Sequence, residues 1–427
     1  MPKHLVTLCI LVLVFTVLAG SAAAQELLMM PPSPEANGRA GVYFSGDSHD
    51  PLAPISNPGL LGLMANHDRL LVSAYPARAK WSVFDMKPFG YSSRSVQLGF
   101  DQRAMQRFLR TSLPLSFGFG YQETNLDLGD LRFVDENGHE TGTGGKSYEN
   151  TRGFDMAVGL NYRRFQAGLG FTHKLTTMHW GSPDDYSNFA SDVGAIVQAR
   201  LERFFYHTDP VFENGQFRAQ PFGTVSLGYT VANLGPKLRL KDSFRADPLE
   251  RTATMSLGGE IGLKAAHPVE ADWRLVSFGA GVQTRDLLIA HDGEHYKSLL
   301  GDIHPLRNLV LGKGNDQLGM YTGFEVGILE TFYYRVGRAH DDNFYWRGTD
   351  TEGYGFSLGG LLKLAELSPR VRAGGIASVL ARHLDLRLDY SSRKDHPDFS
   401  GRSIGNYPYD SILNSMIYRS VSLAWRQ

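Results

Sequence analysis

The chain has 427 residues, 43 Lys and Arg against 44 Asp and Glu, a formal net charge of −1 and a single cysteine. Without a dense basic block it is not built for a nucleic-acid partner, since phosphate binding needs clustered Lys and Arg. One cysteine excludes a disulfide scaffold and thiolate metal sites.

At the start, Lys3 and His4 precede an apolar run over 5–18, and Ala22, Ala23 and Ala24 form a small-residue cleavage site. This reads as a secretory leader, 1–24, cut after Ala24. The run is shorter than the ~20 residues of a membrane-spanning helix. Cys9 lies inside it and no cysteine stands at the cut, so neither a thiol nucleophile nor a lipid anchor is expected in the mature chain. Beyond 24 no apolar stretch approaches the length of a spanning helix. A secreted soluble β-protein remains, or a transmembrane barrel, whose strands alternate instead of running apolar.

Residues 25–66 do not alternate and are rich in Gly, Pro, Asn and Asp, with Pro58-Gly59 as punctuation. A periplasmic tail is one reading. Ala40, Val42, Phe44, Leu52, Leu60, Leu61 and Leu63 are too apolar for a solvated tail, and favour a hatch or plug folded into a lumen.

From 67 to 427 apolar residues recur at every second position, the signature of strands with one apolar face. The clearest sets are Leu113, Leu115, Phe117, Phe119, Tyr121 and Phe154, Met156, Val158, Leu160, Tyr162. Others fall at 167–171, 225–231, 255–263, 276–282, 324–328, 332–336, 354–358, 384–390 and 421–425. Weaker ones at 70–75, 96–100 and 193–197 bring the expected count to about fourteen, even as in bacterial barrels. The opposite face is mostly Gly, Ser, Ala, Thr and Gln, which suits a lumen or a face packed on a plug. Aromatics at strand ends (Tyr121, Tyr162, Phe171, Tyr229, Tyr390, Trp425) fit an interfacial girdle. Long connections are expected at 122–152, 173–191, 235–252, 286–317, 339–353 and 391–415, and tight ones at Arg163-Arg164, His267-Pro268 and Glu330-Thr331. Long outside and short inside is the outer-membrane pattern. The connections 200–221 and 363–383 are longer than that pattern asks, and a short helix is expected over 376–382.

Ser33-Pro34-Glu35-Ala36-Asn37-Gly38-Arg39-Ala40-Gly41-Val42, then Asp47, then Asn57-Pro58-Gly59-Leu60, resembles the opening of the PorV/PorQ family. Val231-Ala232-Asn233-Leu234-Gly235-Pro236-Lys237-Leu238 is similar to a mid-chain segment of that family, and Ser191-Asp192-Val193-Gly194 to one of its strand openings. Gly59 departs from the usual Ala, and the last aromatic, Trp425, is not terminal. The resemblance implies an all-β, FadL-like outer-membrane barrel of about fourteen strands with an N-terminal hatch. It also implies accessory work in type IX protein secretion, binding a translocon or the C-terminal signal domain of its cargo. The wider FadL group implies the alternative, a channel for hydrophobic small molecules.

Chemical motifs are weak. His291-Asp292-Gly293-Glu294-His295 matches a zinc-protease pattern, yet a central glycine in a loop does not place two histidines on one helix face. Gly144-Gly145-Lys146-Ser147 lacks the first glycine of a phosphate loop. The oxygen-rich stretches at 340–343 and 395–398 read as solvated loop tips before they read as calcium sites. Inward charges at Asp155, Glu260, Glu325, Arg335 and Arg387 are expected to pair with one another or with the hatch. No catalytic arrangement, metal site or cofactor is expected. The candidate functional residues are Arg39, Gly41, Asp47, Asn57, Pro58 and Gly59 in the hatch, and Asn233, Gly235, Pro236 and Lys237 in the mid-chain segment. Leu299, Leu300, Leu309 and Leu311 in the longest loop are expected either to dock a protein partner or to cap the barrel.

Overall fold

The alternation becomes a barrel turned inside out. The computed structural model describes residues 33–43, 50–80, 90–109, 113–134, 140–180, 186–205, 212–214, 217–239, 246–247, 249–267, 270–290, 295–315, 317–341, 346–366, 379–380, 383–396 and 415–426. The expected leader, Asp47 and 291–294 lie outside them. The barrel strands are β1 (Asp68–Lys80), β2 (Gly90–Phe100), β3 (Leu115–Val134), β4 (Glu140–Tyr162), β5 (Phe165–Trp180), β6 (Tyr186–Arg200) and β7 (Phe217–Leu234). They continue as β8 (Thr252–His267), β9 (Glu270–Leu287), β10 (Leu318–Ile328), β11 (Phe332–Asp341), β12 (Trp346–Ser357), β13 (Leu384–His396) and β14 (Ser415–Arg426).

Among the described residues these fourteen strands close into one antiparallel sheet, each paired with its sequence neighbours. The seam joins β1 to β14, with Val72 opposite Leu423. A three-residue strand, Phe212–Asn214, adds only to the start of β7. Two rims result. The terminal rim holds the start of β1 and the end of β14, and the far rim lies opposite.

Period two decides which side chains meet which medium. Outward positions carry exposed apolar side chains round the wall, such as Leu98, Phe119, Leu169, Leu227, Ile261 and Phe324. Inward positions carry buried Ser, Thr and Gln, such as Ser95, Gln97, Ser116, Gln122, Thr172 and Gln198. A contiguous apolar outer wall is costly in water and matched to hydrocarbon. Its height agrees. On β4 and the following turn, the outward Arg152 and Arg163 bound the belt. They are separated by about 36 Å of strand at ~3.3 Å per residue, or about 28 Å after a ~40° tilt. Aromatics line both edges. Tyr162, Phe165 and Phe204 stand near the terminal rim, and Tyr121 with Phe154, then Tyr334, Tyr354 and Tyr390, on the far side. Above them come charged pairs, Arg94–Glu123 and Arg338–Asp350.

Two expectations change. The loops expected at 122–152, 173–191 and 339–353 are largely strand, because β3 reaches Val134 and β4 begins at Glu140, β5 reaches Trp180 and β6 begins at Tyr186, and β11 reaches Asp341 and β12 begins at Trp346. Above the belt neither face needs to be apolar, so pairing continues without the alternation that announces it. Gly144 to Ser147 therefore lie in a strand and form no phosphate loop. The second change is at Leu358. The strand expected over 354–358 stops at Ser357, and Leu358–Glu366 is a helix, capped where Gly360 N–H donates to Ser357 Oγ (3.4 Å). A short apolar run does not distinguish period two from 3.6. Of the helix expected over 376–382, only 379–380 lie among the described residues.

Candidate functional site: a hatch between two unlike walls

Residues 33–43 and 50–66 lie inside the barrel, nearly all of them buried. Their first helix, α1 (Pro34–Gly38), starts under a Ser33 cap: Ala36 N–H donates to Ser33 Oγ (3.0 Å), and Pro34 occupies a first-turn position that has no need of an N–H. Gly41 takes a left-handed φ of +85°, which lets the chain turn out of α1. The second helix, α2 (Gly59–Met64), follows Asn57, whose Oδ1 accepts Gly59 N–H at 2.9 Å. Between them Ala36, Tyr43, Ala53, Leu60, Leu63 and Met64 share a small apolar core with Leu71, Ile196 and Ala424 of the wall. This is the hatch expected from the composition of 25–66.

α2 lies on β3, β4, β5 and β6. Its wall is cleared of side chains: Gly118, Gly159, Gly168, Gly170 and Gly194 face it on alternate positions. A Cβ at Gly62 would fall 2.5 Å from the Val158 carbonyl oxygen, and one at Gly159, Gly168 or Gly170 would run into hatch carbonyls. Backbone thus rests on backbone. The polar contacts are few and neutral: Ser116 Oγ donates to Gly62 O (2.7 Å), and Asn57 Nδ2 donates to Ala195 O (3.1 Å). Asn57, Pro58 and Gly59 are thereby placed against this glycine wall.

α1 lies on β11, β12, β13 and β14. Glycine admits the chain here also, since Gly353 abuts Gly38, and Gly323 and Gly337 abut Arg39. Over that approach lies a buried ionic cluster. Arg335, 1 % exposed, binds Glu325 (2.5 Å) and Asp389 (2.6 Å) and reaches Glu35 at 3.6 Å. Glu35 binds Arg39 (3.0 Å), and Arg39 also reaches Glu325 (3.4 Å). Arg387 binds Asp385 at 2.9 Å and lies 3.9 Å from Glu35. Asn37 Nδ2 donates to Ser391 Oγ (2.9 Å), and Ala40 N–H to Thr351 Oγ1 (3.1 Å). Of the inward charges singled out in the sequence, Glu325, Arg335 and Arg387 join this cluster. Glu260 pairs with Arg274 (2.7 Å), and Asp155 accepts from Gln122 (3.1 Å) and Thr172 (2.6 Å).

Beside α1, Asp50 accepts from Ser33 Oγ, from Tyr43 O–H (3.0 Å) and from Leu52 N–H (2.9 Å). Burial pushes its carboxyl up to about 6, with the Glu35 charge adding to the shift. Burial and the Asp50 charge also raise the Tyr43 phenol well above its ordinary value.

Towards the far rim the lumen is polar. Lys174 pairs with Asp192 at 2.8 Å, among Thr151, Thr176 and Asn188. Asn233 joins them because a bulge and a left-handed φ of +61° turn it inward. Its N–H donates to Asp192 (2.8 Å), and its Oδ1 accepts Lys174 Nζ (2.5 Å). A Cβ on Gly235 would lie 2.6 Å from Phe189 O, while Pro236 and Lys237 are exposed. The mid-chain segment is therefore a far-lumen clasp, separate from the hatch bonds. In the longest loop Leu309 is buried, and Leu299, Leu300 and Leu311 are exposed. No group of three or more His, Cys, Asp or Glu able to hold a metal occurs among the described residues.

The seating of α2 on particular wall glycines and the Ser33–Tyr43–Asp50 contact escaped the sequence reading. The first had a signal, glycine at every second position (118 and 120, 168 and 170) on otherwise apolar strands.

No family model matches this sequence, and no curated protein matches it. Among solved structures, a Pseudomonas aeruginosa FadL homologue is 10 % identical, covering 96 % of this chain and 98 % of its own, with a TM-score of 0.37. The Ralstonia pickettii toluene transporter TbuX is 10 % identical (94 % and 99 % covered, TM-score 0.41). The Pseudomonas putida toluene transporter TodX is 8 % identical (94 % and 99 %, TM-score 0.45). At such values the similarity transfers no property to this chain.

Proposed function

We infer that this chain is an integral outer-membrane barrel that works as a non-enzymatic docking component of protein secretion, in the manner of PorV-type accessories of type IX secretion. The reading places the terminal rim in the periplasm and the far rim outside the cell. The observation that carries it is the hatch. It lies in the lumen, is bonded to opposite walls, and is followed, among the described residues, by a polar far lumen, a lining that disfavours passage of an apolar solute along the axis. The far ends of β3 and β4 add surface. They continue past the charged Arg94–Glu123 pair to Val134 and from Glu140, a two-stranded wing standing clear of the belt and open to a translocon or a cargo signal domain. The test is detergent purification from outer membranes after crosslinking, with partners identified by mass spectrometry. Recovery of a large translocon, or of secreted proteins sharing one C-terminal domain, is expected. A barrel recovered alone overturns the reading.

One observation favours the alternative, uptake of hydrophobic small molecules. A cavity of about 790 Å³ lies on the outer wall, lined by Phe332, Tyr334, Tyr354, Phe356, Tyr390 and Val421. Saturable binding of an aromatic hydrocarbon that is lost in Tyr354→Ala would support it.

A further inference from the structure

The described residues 288–290 and 295–315 neither cap the mouth nor stand free; they lie against the outside of the barrel. Outward positions of four adjacent strands form the row Val231, Ala253, Asp286 and Leu318, matched residue to residue by strand register. The same face two steps nearer the membrane centre, at Leu227, is exposed as belt. Yet every member of the row is buried, as is Thr284. What covers them is Leu288, Ile303 and Leu309 of the segment itself.

The contact is clamped by polar groups. Asp286, 0 % exposed on the outward face, accepts Asp302 N–H (2.6 Å) and Lys297 Nζ (3.2 Å), and Lys297 also binds Asp302 (2.6 Å). Tyr229, on the belt edge, donates its O–H to Leu299 O (2.5 Å). A carboxylate on a lipid-facing strand is costly unless it is paired and covered, and the segment supplies both the cation and the cover.

Its other face is apolar. Leu299, Leu300, Leu306, Val310 and Leu311 are 50–69 % exposed. At this height other sectors of the wall carry charged pairs, Arg94–Glu123 and Arg338–Asp350, which mark where hydrocarbon ends. Here the belt continues without a break from Leu227, Tyr229 and Leu257 onto the segment. We propose that 295–315 is a membrane-seated flap, its leucines lying in the acyl phase of the outer leaflet, so that the belt is taller on the β7–β10 side than elsewhere. The proposal rests on the barrel being membrane-integral and not on which partner it serves.

The test uses single cysteines in the Cys9→Ser background at Leu306 and Val310, with Ile261 as belt control and Lys237 as solvent control. Each carries a polarity-sensitive fluorophore, in full-length protein refolded into phosphatidylcholine vesicles. Folding is confirmed by the heat-dependent gel shift of a closed barrel. Loss of fluorescence at 306 and 310 to a lipid-borne nitroxide, as at 261, with protection from aqueous iodide, is the expected result. Iodide quenching as at 237 overturns the proposal. So does shielding from both quenchers, which would mean that protein or a second copy covers the flap. Failure at Ile261 itself would sink the membrane reading instead, so the two failures are distinguishable.

Discussion

The two ends of the hatch are held by opposite physics. At the α2 end the wall offers absence: five glycines let backbone approach backbone, and the few hydrogen bonds are neutral. At the α1 end it offers charge, with Arg335 and Arg387 arranged around carboxylates from both wall and hatch. A backbone contact is insensitive to pH and salt but intolerant of any added atom. An ionic cluster tolerates small shifts in shape but not the loss of a partner, because the remaining charges stay buried.

The largest expected effect is at the charged end. Arg335→Leu leaves Glu325, Asp389 and Glu35 short of their shared cation and should cost about 3–5 kcal/mol of hatch docking. Hydrogen exchange should show residues 33–43 losing protection while the barrel keeps its heat-dependent gel shift. Equal loss at 57–64 would mean that the two ends are one cooperative unit. Gly159→Val is the matching break at the other end. Its side chain would enter the space of Gly62, costing about 1–3 kcal/mol by overpacking. Protection should fall over 57–64 first.

Acidity separates the ends next. The Asp50 carboxyl, raised from 3.8 to about 6, binds a proton more readily in the folded hatch than in the released one. Its contribution is therefore most favourable below its unfolded value, falls as pH rises between them, and is fully unfavourable above about 6. The urea midpoint for releasing 33–43 should rise on going from about pH 7.5 to about pH 5, with Asp50→Asn flattening the change. The α2 end, having no such group in its contacts, should not follow. The smallest effect is outside: Arg338→Ala breaks an exposed pair with Asp350 and should shift stability by no more than about 0.5 kcal/mol in a thermal melt.

What the sequence shows clearly is what hydrocarbon demands. Phe154, Val158 and Leu160 alternate because one face must be apolar, so the strand set, the closure and the girdle were readable. Above the belt that demand lapses, and 122–152 read as loop although it is mostly strand. The hatch was legible in composition, and Arg39, Asn57 and Gly59 lie buried in it. Its partners were not, because Glu35 meets Arg335 and Arg387 from across the chain, and no local pattern encodes a contact of that separation. The flap was half legible. Its leucines stood out, but only strand register shows that Asp286 faces outward and needs a lid.

The placement of the two walls along the chain also bears on biogenesis. β3 to β6 precede β11 to β14 in the chain, so the two walls that grip the hatch come from separate parts of the sequence. A segment bonded on both sides and wider than the gaps between paired strands is poorly suited to threading into a finished cylinder. It is enclosed as the last strand meets the first. The grip of glycine on one side and arginine on the other is therefore complete only when the β1–β14 seam is closed.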